Sequence, residues 1–327
     1  MGWALLTYVA GRIGKGLLVV LGIIVLNFFL IRLAPGDPAS IIAGQSGAGD
    51  AAYVAQLRLA FGLDRPLPEQ LWLHLRAIAS LDLGQSYHQQ RPVLEMIGER
   101  LGPTLLLSAV AFVIALGGGV VLGAVAARRP TSIEDRLISI TALTFYATPL
   151  FWTGVLLILV FSVWLQWLPA VGMATIGGPQ AGLAHVVDVA RHLVLPSVTL
   201  GLFYLAVYTR LTRAAMIEVA NQDHVRTARA KGASEARILR VHVLRNALLP
   251  VITFAGLQAG QLIGGAVLVE TVFTWPGIGR LAFEALLGRD YNVLLGVLMC
   301  TSCFVVVVNI VTDVLYVVAD PRIEMGA

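Results

Sequence analysis

Charged residues are scarce in this chain. Asp, Glu, Lys and Arg make up 13% of its 327 residues, whereas apolar residues make up 57%. The mean hydropathy of +0.82 lies far above the range of water-soluble domains of this size. So much apolar surface must face something other than water. The composition therefore excludes an ordinary soluble domain and points to a lipid bilayer.

Residues that carry catalysis or bind metal are also rare, with two cysteines and six scattered histidines. Cys300 and Cys303 lie in an apolar run, where the reactive thiolate is disfavoured, so we interpret this C-x-x-C pair as helix packing. No H-E-x-x-H motif is present, which argues against a metal-dependent membrane enzyme. The GQSG tetrapeptide at 44–47 lies in a polar segment, which argues against an intramembrane serine protease. We predict no catalytic residue and no metal site.

A phosphate-binding loop of the form G-x-x-x-x-G-K-[ST] is missing as well. GRIGKG at 11–16 has the wrong spacing and lies at the start of an apolar run. We therefore expect this chain to bind no nucleotide cofactor of its own.

Long apolar runs, by contrast, are abundant. A run of about 17 to 25 residues with few charges is long enough to cross the hydrocarbon core as a helix. The first run is too long for a secretory signal and is followed by no cleavage site, so we interpret it as a retained helix. The pattern predicts an all-α polytopic membrane protein with six transmembrane helices. The predicted spans are 13–31, 104–127, 137–164, 193–209, 248–269 and 293–319.

The loops between these spans differ in their content of Lys and Arg. The N-terminus, 128–136, 210–245 and the C-terminus form the shorter set, yet they hold most of the 23 basic residues. Basic loops are retained on the cytoplasmic side. Both termini are therefore predicted to be cytoplasmic, and the basic pI of about 9.3 requires no nucleic-acid partner.

This orientation divides the chain into three parts. Residues 1–31 hold the N-terminus and the first span, and residues 32–102 form an external segment with short amphipathic stretches such as LWLHLRAIASL. Residues 103–327 form a core of five helices that includes the basic cytoplasmic loop 210–247.

The densest positive charge lies in HVRTARAKGASEARILRVH, residues 224–242. Asp223 is a predicted N-cap and Gly232 a predicted terminator of a helix of about two turns. Ser234 is predicted to cap a second helix, with Glu235 in its first turn. Small and basic residues alternate on the short helix, which suits contact with another protein. From physical arguments alone, a loop that rests on the anionic inner leaflet is an equal alternative.

Within this region, ARAKGASEARILRVHVLRNALLP resembles the conserved cytoplasmic loop of binding-protein-dependent ABC import permeases of the dipeptide, oligopeptide and nickel class. Gly232 and Ala228 match the general importer pattern, whereas Arg226 and Thr227 replace its Glu and first Ala, and Pro250 falls later than expected. These departures are typical of the peptide class. Other similar motifs follow in the expected order: RLAPGDPA (32–39), FGLDRPL (61–67), LDLGQS (81–86), PLFWTGVLLI (149–158), WLPAVG (167–172), ETVFTWPGIGRL (270–281), RDY (289–291) and VNIVTDVLYVVADPRI (308–323).

The resemblance implies the first permease subunit of a type I ABC importer in a bacterial cytoplasmic (inner) membrane. The implied partners are a second similar permease, two ATPase subunits that bind ATP and Mg²⁺, membrane lipid and an extracytoplasmic substrate-binding protein. The implied cargo is di- or oligopeptides, with nickel or other metal chelates and other small solutes as alternatives. An autonomous ion-coupled transporter is a weaker alternative, because few ionisable groups lie within the spans.

The resemblance also assigns the short basic helix as the coupling helix that docks into an ATPase subunit. The residues expected to take part are Asp223, Val225, Arg226, Thr227, Ala228, Arg229, Ala230, Lys231 and Gly232.

Polar residues inside the spans are candidates for the translocation pathway, because a lipid-facing polar side chain is costly. Asp313 has an alternative interpretation as a charge that reaches the inner membrane surface or pairs with a basic group. Pro149 and TWPGIGR (274–280) predict breaks in the backbone, either as an external re-entrant segment or as ordinary turns. The pathway candidates are Tyr204, Tyr208, Gln258, Gln261, Asn309 and Asp313.

Overall fold

A computed structural model describes residues 2–33, 51–60 and 64–319, except the side chains of 2–9, 31–33, 53, 57, 60, 259, 261–263, 265 and 315–319. Residues 34–39 of the RLAPGDPA motif and residues 320–323 at the end of VNIVTDVLYVVADPRI lie outside the described residues. The described residues fall into two compact units, one drawn from 2–99 and 281–310 and the other from 100–280 and 311–319.

The described part of the chain is helical and has no β-strand, only an isolated bridge between Gln85 and Pro92. Two π-helical segments, Ile158–Trp164 and Ile238–Leu244, continue the helices before them. The α-helices are α1 (Gly2–Leu33), α2 (Ala51–Ala60), α3 (Leu67–Ala79), α4 (Val93–Arg128), α5 (Ile133–Ala147), α6 (Leu150–Leu157), α7 (Gly182–Ala220), α8 (Asp223–Ala230), α9 (Glu235–Arg237), α10 (Arg245–Ala259), α11 (Gln261–Val272), α12 (Ile278–Gly288) and α13 (Tyr291–Ala319).

Helices of membrane-spanning length confirm the predicted class. Five described stretches are long and apolar enough to cross a bilayer, and a bent pair of helices raises the number to as many as six. Many large apolar side chains on these helices are exposed, for example Leu17 and Leu18 on α1 and Val307 on α13. Such side chains are expected on surfaces that face lipid, where no water has to be excluded.

The bent pair is α5 with α6 and the π-helical segment that follows it, and its two halves meet at 106°. The break falls at Pro149, as predicted. Thr148 has φ −81° and ψ 132°, because the proline ring disfavours helical backbone at the residue before it. Pro149 then starts α6 without the N–H that a helix interior would need.

The fourth predicted span, 193–209, is too short. Helix α7 runs over 39 residues and contains Pro196 in its interior, so this proline does not mark the start of the helix. The sequence hid these outer turns because Asp188, Arg191 and Arg213 interrupt the apolar pattern. All three of these charges have partners: Thr175 donates to Asp188, Arg191 donates to the carbonyl of Trp167, and Arg213 pairs with Asp135.

Helix α7 is the centre of the second unit, since α5, α6, α10 and α11 all pack against it. Helix α4 approaches it through glycines. A Cβ on Gly119 would overlap the Cβ of Tyr208, and one on Gly123 would lie 2.6 Å from the carbonyl oxygen of Thr209. Only glycine permits this approach, and small residues four positions apart are typical of close packing between membrane helices.

The first unit brings together two motifs that the sequence presents as unrelated, LDLGQS and RDY. Ser86 Oγ donates to Asp290 Oδ2 at 2.5 Å, and Asn292 Nδ2 donates to the carbonyl of Gln85 at 2.9 Å. Tyr87 Oη donates to Asn292 Oδ1 at 3.1 Å, and burial together with the Asp290 charge raises the pKa of Tyr87 to about 12. The phenol therefore stays protonated and keeps donating across the physiological pH range.

Candidate functional site

The predicted coupling helix exists as α8, in the turn between α7 and the long helix that begins at Glu235. Its inner face is fixed to the protein by Val225, which is fully buried, and by Ala228, which is 9% exposed. Both pack in an apolar cluster with Met216, Ile238 and Val243. Val225 and Ala228 therefore hold the helix against the rest of the protein, and their part in coupling to an ATPase stays a prediction.

The helix ends where the sequence predicts. Gly232 adopts φ +81°, a left-handed conformation that favours glycine, and its N–H donates to the carbonyl of Arg229 at 3.0 Å. The N–H of Ala233 donates to the carbonyl of Ala228 at 3.2 Å, which completes the turn. Ser234 precedes the next helix at the predicted N-cap position, although its side chain makes no capping bond.

The predicted start of the helix is wrong by one residue. The N-cap position belongs to Gln222, which makes no side-chain capping bond, and Asp223 is the first helical residue. At this position the negative carboxylate of Asp223 interacts favourably with the positive end of the helix dipole. Its Oδ1 lies 3.6 Å from Nη1 of Arg226.

The outer face of α8 carries the remaining candidates, and all of them are exposed: Arg226, Thr227, Arg229, Ala230 and Lys231. Arg229 bonds through Nε and Nη2 to the two carboxylate oxygens of Glu235, at 2.8 and 3.3 Å. Since both partners are exposed, this pair orients the side chains more than it stabilises the fold. The face combines positive charge with the small side chain of Ala230.

A second link to α8, which sequence reasoning missed, runs through His224 and Asn246. Asn246 Nδ2 donates to the carbonyl of His242 at 2.9 Å and lies 3.3 Å from His224 Nε2. The signal was present in the HVLRN spacing, because His242 and Asn246 lie one helical turn apart. Helix α8 is thus joined to the helix that continues into α10 by polar contacts as well as by its apolar face.

Another missed feature is a buried ion pair in the second unit. Arg213 on α7 bonds through Nε and Nη2 to the two carboxylate oxygens of Asp135, at 2.5 and 2.8 Å. Asp135 also accepts the N–H of Thr131, while Ser132 Oγ accepts the N–H of Asp135. The start of α5 is therefore tied to α7 ten residues before the coupling helix.

The candidates for the translocation pathway differ in their exposure. Tyr204 and Tyr208 are buried in the apolar core of the second unit, where Tyr208 contacts Phe112 and Phe254 edge to face. Gln258 and Asp313 are half-buried and Asn309 is exposed, whereas the side chain of Gln261 lies outside the described residues. The two tyrosines therefore have a packing role in this structure.

The TWPGIGR segment forms a buried turn between α11 and α12, built around Glu270. The Glu270 carboxylate accepts bonds from Thr104 Oγ1 at 2.6 Å and from the N–H of Arg280 at 3.0 Å. Trp275 is fully buried and donates through Nε1 to the carbonyl of Pro103 at 2.9 Å. A Cβ on Gly277 would collide with the Glu270 carboxylate, so the glycine is required there. The helical backbone is interrupted between α11 and α12, as predicted, and the turn encloses the side chain of Glu270.

Comparison with protein families agrees with this arrangement. The family described as "Binding-protein-dependent transport system inner membrane component" matches residues 119–325, and its N-terminal companion matches residues 5–108. The chain belongs to this family. As a member, it is a multi-pass inner membrane permease of an ABC importer and a transport subunit that acts together with a binding protein and ATPase subunits.

Individual relatives of this permease match almost end to end. The di/tripeptide transport system permease protein of Pseudomonas aeruginosa is 39% identical, with 98% of this chain and 99% of that protein covered. A putative peptide permease protein of Brucella ovis is 41% identical, with 98% and 100% covered. The dipeptide transport system permease protein of Escherichia coli K12 is 37% identical, with 98% and 99% covered.

Solved structures support the permease fold independently of sequence. A chain of the inward-facing MetNI methionine ABC transporter superposes with a TM-score of 0.56 at 18% identity, covering 69% of this chain and 97% of that one. A second crystal form of the same transporter gives 0.53 at 20% identity, covering 69% and 96%. The architecture is thus that of a type I ABC importer permease, as the sequence predicted.

Proposed function

We propose that this chain is the first of two permease subunits in an ABC importer for di- or oligopeptides. The observation that carries the cargo assignment is the near end-to-end similarity, at 37 to 41% identity, to permeases named for peptide transport. In this assembly a second permease completes the pathway, and an external binding protein delivers the peptide. Two ATPase subunits bind ATP and Mg²⁺, and this chain binds neither.

In this proposal α8 is the contact with one ATPase subunit. Its outer face provides Arg226, Thr227, Ala230 and Lys231 to the partner, and its inner face transfers the motion into the protein. A helix of eight residues anchored by two buried side chains moves with the helices that hold it. Closure of the ATPases is thereby transmitted to α7 and α10.

The cargo is tested by uptake in cells of the source strain. Deleting the gene for this chain should reduce uptake of labelled dialanine and trialanine to background, and expressing it again should restore uptake. Uptake of ⁶³Ni²⁺ in the same cells serves as the control and should not change. Unchanged peptide uptake together with abolished nickel uptake would assign the chain to metal import instead.

A further inference from the structure

A polar cavity of about 290 Å³ lies within the second unit, where the π-helical segment Ile158–Trp164 ends and α7 begins. Its volume is at the small end of ligand pockets, which range over about 300–1,000 Å³. It has room for one end of a peptide rather than a whole chain. Its polar lining comes from Ser162, Gln166, Thr175, Asp188, Arg191 and His192.

The walls of the cavity are fixed by local hydrogen bonds. Arg191 donates through Nη2 to the carbonyl of Trp167 at 3.1 Å, which holds the guanidinium over the loop. His192 is buried, and its Nδ1 lies 2.8 Å from the carbonyl oxygen of Asp188. The loop is anchored in turn where the N–H of Gly172 donates to the carbonyl of Phe273 at 2.8 Å. The cavity is thus lined by groups whose positions are set before any ligand arrives.

One wall of the cavity has an unusual backbone. Ser162 lies in the π-helical segment Ile158–Trp164, a rare conformation that is frequent at functional sites. The Ser162 hydroxyl makes no hydrogen bond to any residue that the structure describes, but it is buried beneath the cavity wall and is not open to a ligand.

The hydrogen-bonding groups in the lining favour a carboxylate ligand. Asp188 and Arg191 balance each other in charge, but the carboxylate of Asp188 is already engaged, since Thr175 donates to it through its N–H at 2.7 Å and its Oγ1 at 2.8 Å. Arg191 uses one of its five donors on Trp167, and the others remain for a ligand. The charged group left to bond a ligand is thus a donor, the Arg191 guanidinium.

We propose that this cavity binds a carboxylate of the cargo peptide, with Arg191 as its charge partner. This inference rests on the proposed peptide cargo and adds a cargo-binding site within the permease itself. Guanidinium and carboxylate match in geometry as well as in charge, which makes such contacts selective for the free acid over the amide.

The test is protection from labelling in the purified transporter complex, without binding protein. Cys300 and Cys303 are replaced by serine and a single thiol is introduced by Gln166→Cys, which lines the cavity. Dialanine and acetate should slow its reaction with a hydrophilic maleimide, whereas dialanine amide should not. Gln180→Cys, exposed and outside the cavity lining, is the matched control and should react equally with or without peptide.

Arg191→Gln in the same background should raise the dialanine concentration needed for protection by about tenfold or more, because the substitution removes a charge-assisted hydrogen bond to the carboxylate. Arg191→Lys, which keeps the charge, should retain part of the protection. Equal protection by dialanine and its amide, or none by any carboxylate, would overturn the site. Protection by peptide-free binding protein alone would also overturn it, in favour of a docking contact. Labelling requires no uptake, so this test and the cargo test in cells can fail separately.

Discussion

Asp135 carries a negative charge on a side chain that is only 5% exposed, and the Arg213 side chain that neutralises it is 31% exposed. Such a pair adds little stability compared with apolar residues of the same size, because both charges lose water. Removing one partner, however, leaves the other charge buried and uncompensated. The pair therefore acts as a fixed connection between α5 and α7.

Arg213→Ala should lower the free energy of unfolding by about 3 kcal/mol, the low end for a broken buried pair, because Arg213 is partly exposed. Arg210→Ala, an exposed arginine on the same helix, should change it by less than about 0.5 kcal/mol. Thermal or steric-trapping measurements in detergent report both values. Equal effects of the two substitutions would show that the buried pair has no special role.

Glu270 is a second buried acidic side chain, and its partners satisfy the hydrogen-bonding capacity of its oxygens. Its oxygens accept hydrogen bonds from the hydroxyl of Thr104 and from the backbone N–H of Arg280 in the TWPGIGR segment. The sequence shows a Trp-Pro-Gly break after an apolar run, which predicts where the backbone turns. It does not show what fills the turn, because Thr104 lies 166 residues away along the chain.

Among the elements, the corner between α8 and α9 was the most predictable. Gly232 is a local signal that acts within one turn of its own position, so the corner could be predicted without tertiary information. The division of α8 into an inner and an outer face was not predictable in the same way. Val225 and Ala228 are buried because Met216, Ile238 and Val243 pack in the same cluster with them.

The lengths of the helices likewise depend partly on local sequence and partly on tertiary contacts. The predicted apolar runs overlap each candidate span, but the fifth, 248–269, is displaced from the observed Glu235–Gln258. The runs also underestimated α4 and α7, whose outer turns carry charged residues. Those turns stay helical because their charges find partners in other elements, as Asp188 does with Thr175. A charged residue lowers the mean hydropathy of its surroundings, so a prediction from hydropathy ends the span there. Only the tertiary structure shows that the charge has a partner.

At the coupling helix, a bulky side chain at an exposed position tests partner contact without disturbing the fold. Ala230→Trp should leave the protein at normal abundance and lower ATP-driven peptide uptake by about tenfold or more, as expected when a packed interface is blocked. Ala236→Trp, exposed on the next helix, is the matched control and should retain uptake within about twofold. Normal uptake by both variants would remove the outer face of α8 from the coupling mechanism.

For the whole molecule, family membership and fold describe a subunit rather than a complete transporter. The chain provides helices long enough to span the membrane and an exposed basic helix fixed to its core, and the energy source and cargo delivery are assigned to partners. The predicted sidedness, with both termini and α8 in the cytoplasm, places that helix where ATPase subunits are found. Transport by this subunit therefore depends on an assembly that includes other proteins.

The most direct test of this account is to purify the tagged chain from its native membranes in mild detergent and identify the associated proteins by mass spectrometry. We expect ATPase subunits and a second permease to co-purify with it. Ala230→Trp should lose the ATPase subunits while keeping the second permease. A chain recovered alone, from membranes in which those partners are expressed and detectable, would contradict the account and favour an autonomous transporter.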